Sequence, residues 1–322
     1  MKSLRPLMLT LMSFVFILVG CGTESTTNES SDTLQIVTTL FPQYDFARQI
    51  AGDKAEVTLL LPPGMESHSY EPTPSDIIKI NKSDLFIYTG ESMEAWAHKI
   101  IESVDSEDVK VLDVSTGVPL IETGLDEEEE HDHEGHDHSH EEEQDHEGHN
   151  HTYDPHIWTS PKNAKIMVNN ILEALCEVDP ENADYYQANA KDYQAQLDEL
   201  DQDLKEVVAN EKRNTIYHSG RFAMQYLMKD YGINYVSAPF EAEPSAALVA
   251  QMITEIKANH IPAIYYEELV DPKIGQMISE ETGAQLLLLH STHNVSKEDF
   301  NKGVTYISLM QQNIKNLQIG LD

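Results

Sequence analysis

The sequence predicts an α/β protein with two lobes, each a parallel sheet covered by helices, joined by one long rigid helix. Short runs rich in β-branched and aromatic residues alternate with helical patterns in the first part of the chain and again after residue 212. This alternation is the rhythm of parallel strands with covering helices. One uninterrupted helical pattern separates the two series, and a chain of 322 residues is long enough for two lobes.

The first lobe is predicted to span residues 34–179. Its first strand is the run Leu-Gln-Ile-Val-Thr-Thr, and proline and glycine after residue 61 end its second strand. Pro161 suits the first turn of a helix, so a helix is predicted to begin there. The predicted strands lie at 34–39, 56–61, 84–88 and 109–114, and the predicted helices at 43–51, 75–81 and 161–177.

The connecting helix is predicted at residues 180–211. Its leucines recur at three- and four-residue spacing, which gives the helix one apolar face. No glycine or proline follows Pro180 in this stretch, so we expect a stiff rod of roughly 45 Å at about 1.5 Å per residue. The second lobe, residues 212–322, has predicted strands at 215–218, 233–236, 263–267 and 286–289, and predicted helices at 221–231, 245–259, 271–282 and 297–317.

Residues 1–20 have the pattern of a lipoprotein signal peptide. Two basic residues precede an apolar stretch, 7–19, that is short for a membrane span. The stretch ends in Leu-Val-Gly-Cys, the pattern of a bacterial lipobox, so Cys21 is predicted to be the lipidated first residue of the mature chain. Residues 21–33 are polar and predict a tether. A plain signal peptide or a single membrane anchor is the alternative, but the polar tether directly after Gly-Cys favours a lipid anchor on the outer face of the bacterial cell membrane.

Charge and cysteine content exclude some classes of protein. The formal net charge is −35, which repels nucleic acid and attracts cations. With no strong basic patch, nucleic-acid binding is excluded. The chain has two cysteines. If Cys21 is lipidated, no intramolecular disulfide can form, and Cys176 is predicted to be a small buried apolar residue in a helix.

Residues 126–152 consist almost entirely of histidine and acidic residues. The stretch has no apolar side chain to pack into a core, so it predicts a solvated loop. The pattern Asp-His-Glu-Gly-His occurs twice, at 132–136 and 145–149. Carboxylates alone would serve solubility, so the repeated histidines favour weak capture of divalent metal ions over an incidental charged linker. The predicted capture residues are His131, His133, His136, His138, His140, His146, His149 and His151.

Four further histidines lie near the ends of predicted strands or just before a helix. His68 follows the second strand, His218 ends the first strand of the second lobe, and His293 follows its last strand. His156 directly precedes a predicted helix. Ligands of open α/β sheets bind beyond the carboxyl ends of the strands, so two facing lobes would bring these four side chains around one ion. Any one of them could simply bond a loop carbonyl, but together, and beside the histidine-rich loop, they predict a metal site.

With these features, the chain resembles the metal-binding lipoproteins of ABC importers, specifically the zinc-binding branch of the cluster A-I family (solute-binding protein family 9). The resemblance covers essentially the whole mature chain, and the acidic, histidine-rich insert is typical of the zinc branch. The matching motifs are Val37-Thr38-Thr39-Leu40-Phe41-Pro42, His68-Ser69-Tyr70-Glu71-Pro72-Thr73-Pro74, Asp154-Pro155-His156-Ile157-Trp158-Thr159-Ser160-Pro161, Glu243-Pro244-Ser245 and Tyr266-Glu267-Glu268.

The resemblance implies an extracytoplasmic, monomeric, non-enzymatic protein that captures Zn²⁺ between two lobes. It would deliver the ion to a membrane permease and its ATPase. The family's three histidine ligands fall on His68, His156 and His218. His293 stands where similar proteins carry a glutamate, and water or His290 is the alternative fourth ligand.

Four neutral imidazoles suit zinc, which prefers tetrahedral coordination and accepts nitrogen ligands. They leave the charge of the ion uncompensated, which is costly in a buried site. Glu66 and Glu267 are the predicted acids that offset this charge from behind the ligands.

Three alternatives stay open from the sequence. One is a surface adhesin with a structural zinc, which a metal-free variant that still adhered would favour. Another is a manganese-binding relative, although manganese prefers oxygen ligands. The third is a zinc hydrolase, but the sequence contains no His-Glu-x-x-His motif, and four protein ligands leave no open position for water.

Overall fold

A computed structural model of the chain describes residues 33–67, 70–102, 104, 108–123, 153–239 and 242–322. The predicted signal peptide, Cys21, His68 and the histidine-rich stretch 126–152 with its eight predicted capture residues lie outside these ranges. Residues from Thr33 to Asp322 form one compact unit. Within the described ranges, no helix is long and apolar enough to cross a membrane.

The first lobe contains a four-stranded parallel sheet in the order β2-β1-β3-β4. Helix α1 packs on β1 and β2, and α4 packs on β3 and β4. The strands are β1 (Leu34–Thr38), β2 (Ala55–Leu59), β3 (Leu85–Tyr88) and β4 (Lys110–Asp113). The helices are α1 (Phe41–Ala51), α2 (Pro74–Ile80), α3 (Ala97–Ile101) and α4 (Pro161–Val178).

The second lobe repeats this topology in a parallel sheet of order β6-β5-β7-β8. In each sheet the first strand is central and the chain changes direction beside it, so a crevice opens there at the carboxyl ends of the strands. The strands are β5 (Thr215–Phe222), β6 (Asn234–Pro239), β7 (Ala263–Tyr266) and β8 (Gln285–Leu288). The helices are α6 (Gln225–Tyr231), α7 (Ala246–Asn259), α8 (Lys273–Thr282), α9 (Lys297–Asn301) and α10 (Tyr306–Leu321).

The predicted connecting helix is confirmed as α5, Ala183–Ala209, preceded by a 3₁₀ turn at Pro180–Asn182. Its 27 residues correspond to a rod of about 40 Å. The helix packs against α1 and α4 of the first lobe and against α10 of the second. The leucines of its predicted apolar face are fully buried, whereas Val207 is only half-buried; the three leucines are Leu197, Leu200 and Leu204.

One apolar core runs through both lobes. Phe46 of α1 contacts Tyr306 of α10 edge to face, with 5.0 Å between ring centroids. Tyr306 also donates a hydrogen bond from its hydroxyl to the carbonyl oxygen of Trp158 at 2.7 Å. A smaller, separate cluster lies under α7 and α8, around Met252 and Ile278. The lobes therefore share a core, which holds the interlobe surfaces in register.

Two predicted helices of the second lobe differ from the structure. The helix predicted at 221–231 begins only at Gln225, because β5 continues to Phe222 and pairs with β6 after a register shift that follows Tyr217. The helix predicted at 297–317 is divided into α9 and α10. Gly303, with φ of +71°, turns the chain between them, and the Thr305 hydroxyl then caps α10 by accepting from the Ser308 N–H.

Cys176, predicted to be a buried apolar residue, lies in α4 as expected but is only half-buried. Its Sγ approaches the carbonyl oxygen of Ala183 at 4.0 Å. Burial raises the pKa of the Cys176 thiol, which disfavours the reactive thiolate.

A buried acid, Glu94, lies in the crevice between β1 and β3. It is 2% exposed and accepts hydrogen bonds from the Thr39 hydroxyl at 2.5 Å and from the Thr89 N–H at 3.0 Å. These donors do not compensate for the loss of water, so burial raises the pKa of Glu94 to about 8. The side chain is therefore protonated in the folded protein below that pH.

We expect Glu94→Gln to remove a loss of stability that the wild type shows as pH rises from about 4.5 to 8. The folded pKa lies above the ordinary value, so the contribution of Glu94 is fully present below about pH 4.5 and is lost as pH rises towards 8. In that window the free energy of unfolding of the wild type should fall, relative to the variant, by roughly 1 kcal/mol per pH unit. Urea unfolding of both proteins from pH 5 to pH 8.5 measures this. Glu91→Gln, at an exposed neighbour, should follow the wild type; parallel profiles for wild type and Glu94→Gln would contradict the expectation.

Candidate metal centre

A small cavity of about 20 Å³ lies between the lobes, beyond the carboxyl ends of β5, β7 and β8. This volume suits one water molecule or one metal ion. Segments of the first lobe supply two of its lining residues, and the second lobe supplies the rest. The lining residues are Glu66, His156, Arg221, Ala223, Glu267, Ser291 and His293.

His293 is the most informative residue of this cavity. It is 8% exposed, and its Nδ1 lies 3.1 Å from Glu268 Oε1 and 2.5 Å from Ser291 Oγ. Burial by itself disfavours the charged ring, but Glu268 outweighs it and raises the pKa of His293. The other ring nitrogen, Nε2, is buried and has no hydrogen-bond partner among the described residues. A buried nitrogen left unpaired in a polar cavity fits a metal ligand, since such groups otherwise cost free energy.

Glu268 fixes the orientation of the His293 ring. This carboxylate, 7% exposed, accepts from the Ser291 N–H at 2.8 Å and from the Ser291 hydroxyl at 2.6 Å. Burial alone would raise the pKa of Glu268, but the imidazoles of His290 and His293 and the Ser291 donors hold that pKa well below its usual range. Glu268 therefore carries a negative charge directly behind the cavity.

His290, the alternative fourth ligand, does not line the cavity. Its Nδ1 accepts from the Thr292 N–H at 2.9 Å, in a turn where Thr292 has φ of +63°. Its backbone N–H and carbonyl oxygen both bond the Asn313 side chain of α10, each at 2.8 Å. Burial lowers the pKa of His290. These contacts assign His290 to holding the loop after β8 rather than to the cavity.

His156 enters the cavity from the first lobe, just before the 3₁₀ turn at Ile157–Thr159. Its Nδ1 lies 2.8 Å from Oδ1 of the fully buried Asp154, and the same oxygen accepts from the His156 backbone N–H at 2.9 Å. A carboxylate can only accept, so Nδ1 carries the proton and Nε2 is the nitrogen suited to a metal.

His218 is buried in β5 but is not among the residues that line the cavity. Its Nδ1 lies 3.3 Å from both the backbone nitrogen and the carbonyl oxygen of Gly220. A Cβ on Gly220 would lie 3.7 Å from the His218 ring and 3.2 Å from Glu267, so His218 is a near neighbour of the cavity wall. Burial lowers the pKa of His218 to about 4, so its ring is neutral at pH 7.

Arg221 and Glu267 occupy the wall between His218 and His293. The Arg221 Nε lies 3.5 Å from Glu267 Oε1. Burial raises the pKa of Glu267, and the guanidinium of Arg221 opposes that shift. The cavity thus combines two imidazoles with two carboxyl side chains and a guanidinium.

Backbone and side-chain hydrogen bonds fasten the two sides of the cavity together. Gly64, in the loop after β2, donates its N–H to the Val295 carbonyl at 2.8 Å. The Asn294 side-chain amide donates to the carbonyls of Pro62 and Met65 at 2.9 and 2.8 Å. This loop also carries Glu66, and His68 follows two residues later outside the described ranges.

The structure thus brings His156 and His293 to one cavity, with His218 close behind its wall. No three His, Cys, Asp or Glu side chains converge closely enough to hold a metal within the described ranges, which leave out His68. The predicted compensating acids Glu66 and Glu267 both line the cavity.

Four residues of this site were not predicted from the sequence. Three of the four had a signal in the sequence. One is the aspartate two residues before His156, one is the second glutamate after β7, and one is the arginine close to His218. The missed residues are Asp154, Arg221, Glu268 and Ser291.

Two parallel-sheet lobes of one topology, joined by a long helix and enclosing a histidine- and acid-lined cavity, define the class of two-lobed metal-binding proteins of importers. The family model described as the periplasmic component A of the zinc-uptake complex matches residues 36–320. The chain therefore belongs to this family of extracytoplasmic solute-binding components.

Named relatives agree with this assignment. The chain is 36% identical to the high-affinity zinc uptake system protein ZnuA of Bacillus subtilis, over 95% of this chain and 94% of that protein. It is 34% identical to the zinc-binding lipoprotein AdcA of Streptococcus pneumoniae, over 99% of this chain but 61% of that longer protein.

Solved structures show the same fold. The Zn(II)-bound ZnuA-like domain of Streptococcus pneumoniae AdcA has a TM-score of 0.73 and 31% identity, covering 90% of this chain and 99% of that one. The laminin-binding protein Lmb of Streptococcus agalactiae, described as having adhesin and metal-transporting activity, has a TM-score of 0.71 and 25% identity, covering 90% and 100%.

Proposed function

We propose that this protein is the extracytoplasmic zinc-binding component of an ABC importer, which captures Zn²⁺ between its lobes and delivers it to a membrane permease. The observation that carries this proposal is the buried, unpaired Nε2 of His293, which lies in the same interlobe cavity as His156. The zinc-uptake family and the zinc-binding relatives support zinc as the cargo.

The proposed ligands are His68, His156, His218 and His293. His156 and His293 each have Nδ1 held by a buried carboxylate, an arrangement that orients the ring and makes the other nitrogen a better donor. His218 is neutral at pH 7 and lies near Gly220, which itself lies next to Glu267 of the cavity lining, so a small movement of β5 would bring His218 to the ion. Zinc displaces protons from imidazole, so affinity should fall as pH drops through the histidine range, about pH 6 to 7.

Capture and anchoring complete the proposal. The histidines of residues 126–152 collect zinc weakly and raise its concentration beside the cleft. A lipid on Cys21 holds the monomeric protein near the permease and its ATPase. The family description as a component of an uptake complex supports the partnership with a permease, and the lipoprotein name of the AdcA relatives supports the lipid anchor.

A zinc titration tests the cavity. The metal-stripped protein, starting after Cys21 and lacking residues 126–152, should bind one zinc ion tightly. His293→Ala should weaken that site at least tenfold, about 1.4 kcal/mol, because it removes a ligand. The matched control is His98→Ala, at a residue with a 61% exposed side chain, which should bind as the wild type. A protein without a tight site once the loop is removed would contradict the cleft proposal.

A surface adhesin is the second candidate, favoured by the likeness to Lmb. Adhesion assays on laminin with wild type and His293→Ala distinguish the two. Adhesion that survives the loss of zinc binding would support an independent adhesin function. A wild type that binds zinc but does not adhere to laminin would support the importer function only.

A further inference from the structure

A positively charged residue lines the cavity that would hold a cation. The Arg221 guanidinium lies next to Glu267, with Nε 3.5 Å from Oε1, and both side chains line the same cavity as His156 and His293. Glu267 is the more buried of the two, with 12% of its side chain exposed against 27% for Arg221. A zinc ion bound in this cavity and the Arg221 guanidinium would repel each other.

The Glu267 carboxylate can bind either the zinc ion or the Arg221 guanidinium. Zinc accepts carboxylate oxygen as well as imidazole nitrogen, and a carboxylate ligand would halve the charge that neutral histidines leave on the ion. When no metal is bound, a buried carboxylate also needs a positive partner, and among the described residues that line the cavity Arg221 is the one cation fixed at every pH. The unpaired Nε2 of His293, in the same cavity, marks the position of a ligand independently.

We infer that Arg221 and Glu267 form an exchange pair: Glu267 is a direct ligand of the zinc ion, and Arg221 neutralises Glu267 in the metal-free protein. The inference rests on the proposed zinc-binding function and adds to it a carboxylate ligand and a residue that opposes the metal. On zinc binding, Glu267 exchanges the guanidinium for the ion, and Arg221 turns towards solvent.

The surroundings permit this exchange. Arg221 lies one residue before the end of β5, is already partly exposed, and has a long side chain that can place its charge in water while its stem stays packed. Glu267 faces Gly220, which has no side chain; a Cβ there would come within 3.2 Å of Oε1. Glu267 therefore has room to turn towards the imidazoles.

Zinc titrations of single variants test the pair, in the protein that starts after Cys21 and lacks residues 126–152. Glu267→Gln should raise the zinc dissociation constant at least tenfold, because an amide is a poor zinc ligand. Arg221→Gln should lower the dissociation constant at least threefold, because it removes the competing cation. Glu281→Gln, which removes the same charge from the exposed surface, is the matched control and should change the constant by less than threefold.

A spectroscopic readout separates a ligand from a nearby charge. The Co²⁺-loaded protein should show a visible absorption band set by the ligands of the ion, and Glu267→Gln should shift it whereas Glu281→Gln should not. Metal-free melting temperatures within about 4 °C of the wild type would show that both variants fold. If Glu267→Gln does not fold, the direction in which Arg221→Gln changes the zinc dissociation constant still tests the exchange pair.

Several results would overturn the exchange pair while the importer proposal stands. They are tight zinc binding by Glu267→Gln, an unshifted Co²⁺ band in that variant, or weaker zinc binding by Arg221→Gln. In each case, the zinc site of the wild type must still depend on His293. A wild-type protein without a tight site would instead overturn the proposed function itself.

Discussion

Trp158→Ala is expected to lower the free energy of unfolding by about 3–5 kcal/mol, as deletion of a large buried aromatic side chain generally does. Trp158 is fully buried in the shared core. Its Nε1–H donates to the Ser291 carbonyl at 2.7 Å, and its own carbonyl accepts from Tyr306. The substitution therefore leaves a cavity and an unpaired carbonyl in the loop that carries His293.

This arrangement predicts a linked loss of zinc affinity. Ser291 contacts the Nδ1 of His293, so releasing its carbonyl should let the ligand ring move. Trp158→Phe keeps most of the packing and removes only the hydrogen bond, so it should cost about 1–2 kcal/mol of stability and weaken zinc binding several-fold.

Urea unfolding of the metal-free protein and zinc titration measure the two effects. The chain has one other tryptophan, the half-buried Trp96, which serves as the control. Trp96→Phe should change stability by less than about 1 kcal/mol. A Trp158→Ala variant with near wild-type stability would show that the interlobe core does not depend on this side chain.

Glu268→Leu is expected to have an effect of similar size, about 3–5 kcal/mol, because it removes one partner of a buried charged network. The carboxylate accepts from the N–H and hydroxyl of Ser291 and contacts the His293 ring, and leucine leaves those donors buried without an acceptor. Zinc affinity should also fall, because the carboxylate that helps to orient the His293 ring is lost. Glu268→Gln, which keeps one acceptor oxygen, should lie between leucine and wild type.

The matched control is Glu281→Leu, an exposed acid that pairs with Lys257 at 3.4 Å. Exposed ion pairs contribute little, so its effect on the urea midpoint should correspond to less than about 1 kcal/mol. Equal midpoints for Glu268→Leu and Glu281→Leu would contradict the view that Glu268 holds the loop after β8.

The order of strands and helices was largely predictable because it rests on local periodicity. Every strand predicted in the two lobes is present, with ends moved by a few residues, and α5 follows the predicted connecting helix closely. The failures came at element boundaries. Pairing with β6 extends β5 to Phe222, which no local pattern shows. The helix predicted after residue 297 includes residues 302–305, but Gly303 and the Thr305 cap, both local signals, interrupt it.

The site was predictable in its location but not in its composition. Histidines beyond strand ends pointed to the interlobe crevice, and His156 and His293 do line one cavity. The sequence could not show that Arg221 lines that cavity beside these histidines. A shift of one position turns a side chain to the other face of a strand, and the register of β5 against β6 shifts between Tyr217 and Arg221.

The sequence by itself determined the α/β class, the two-lobed order, the connecting helix and the histidine motifs, because these depend on residue types and spacings along the chain. The tertiary structure alone decided which side chains meet. The shared core fixes the two lobes face to face, the hydrogen bonds of Asn294 and Gly64 close the loops over the cavity, and Asp154 and Glu268 orient its two imidazoles. Convergence of residues this far apart in the chain depends on packing between elements, which no local pattern encodes.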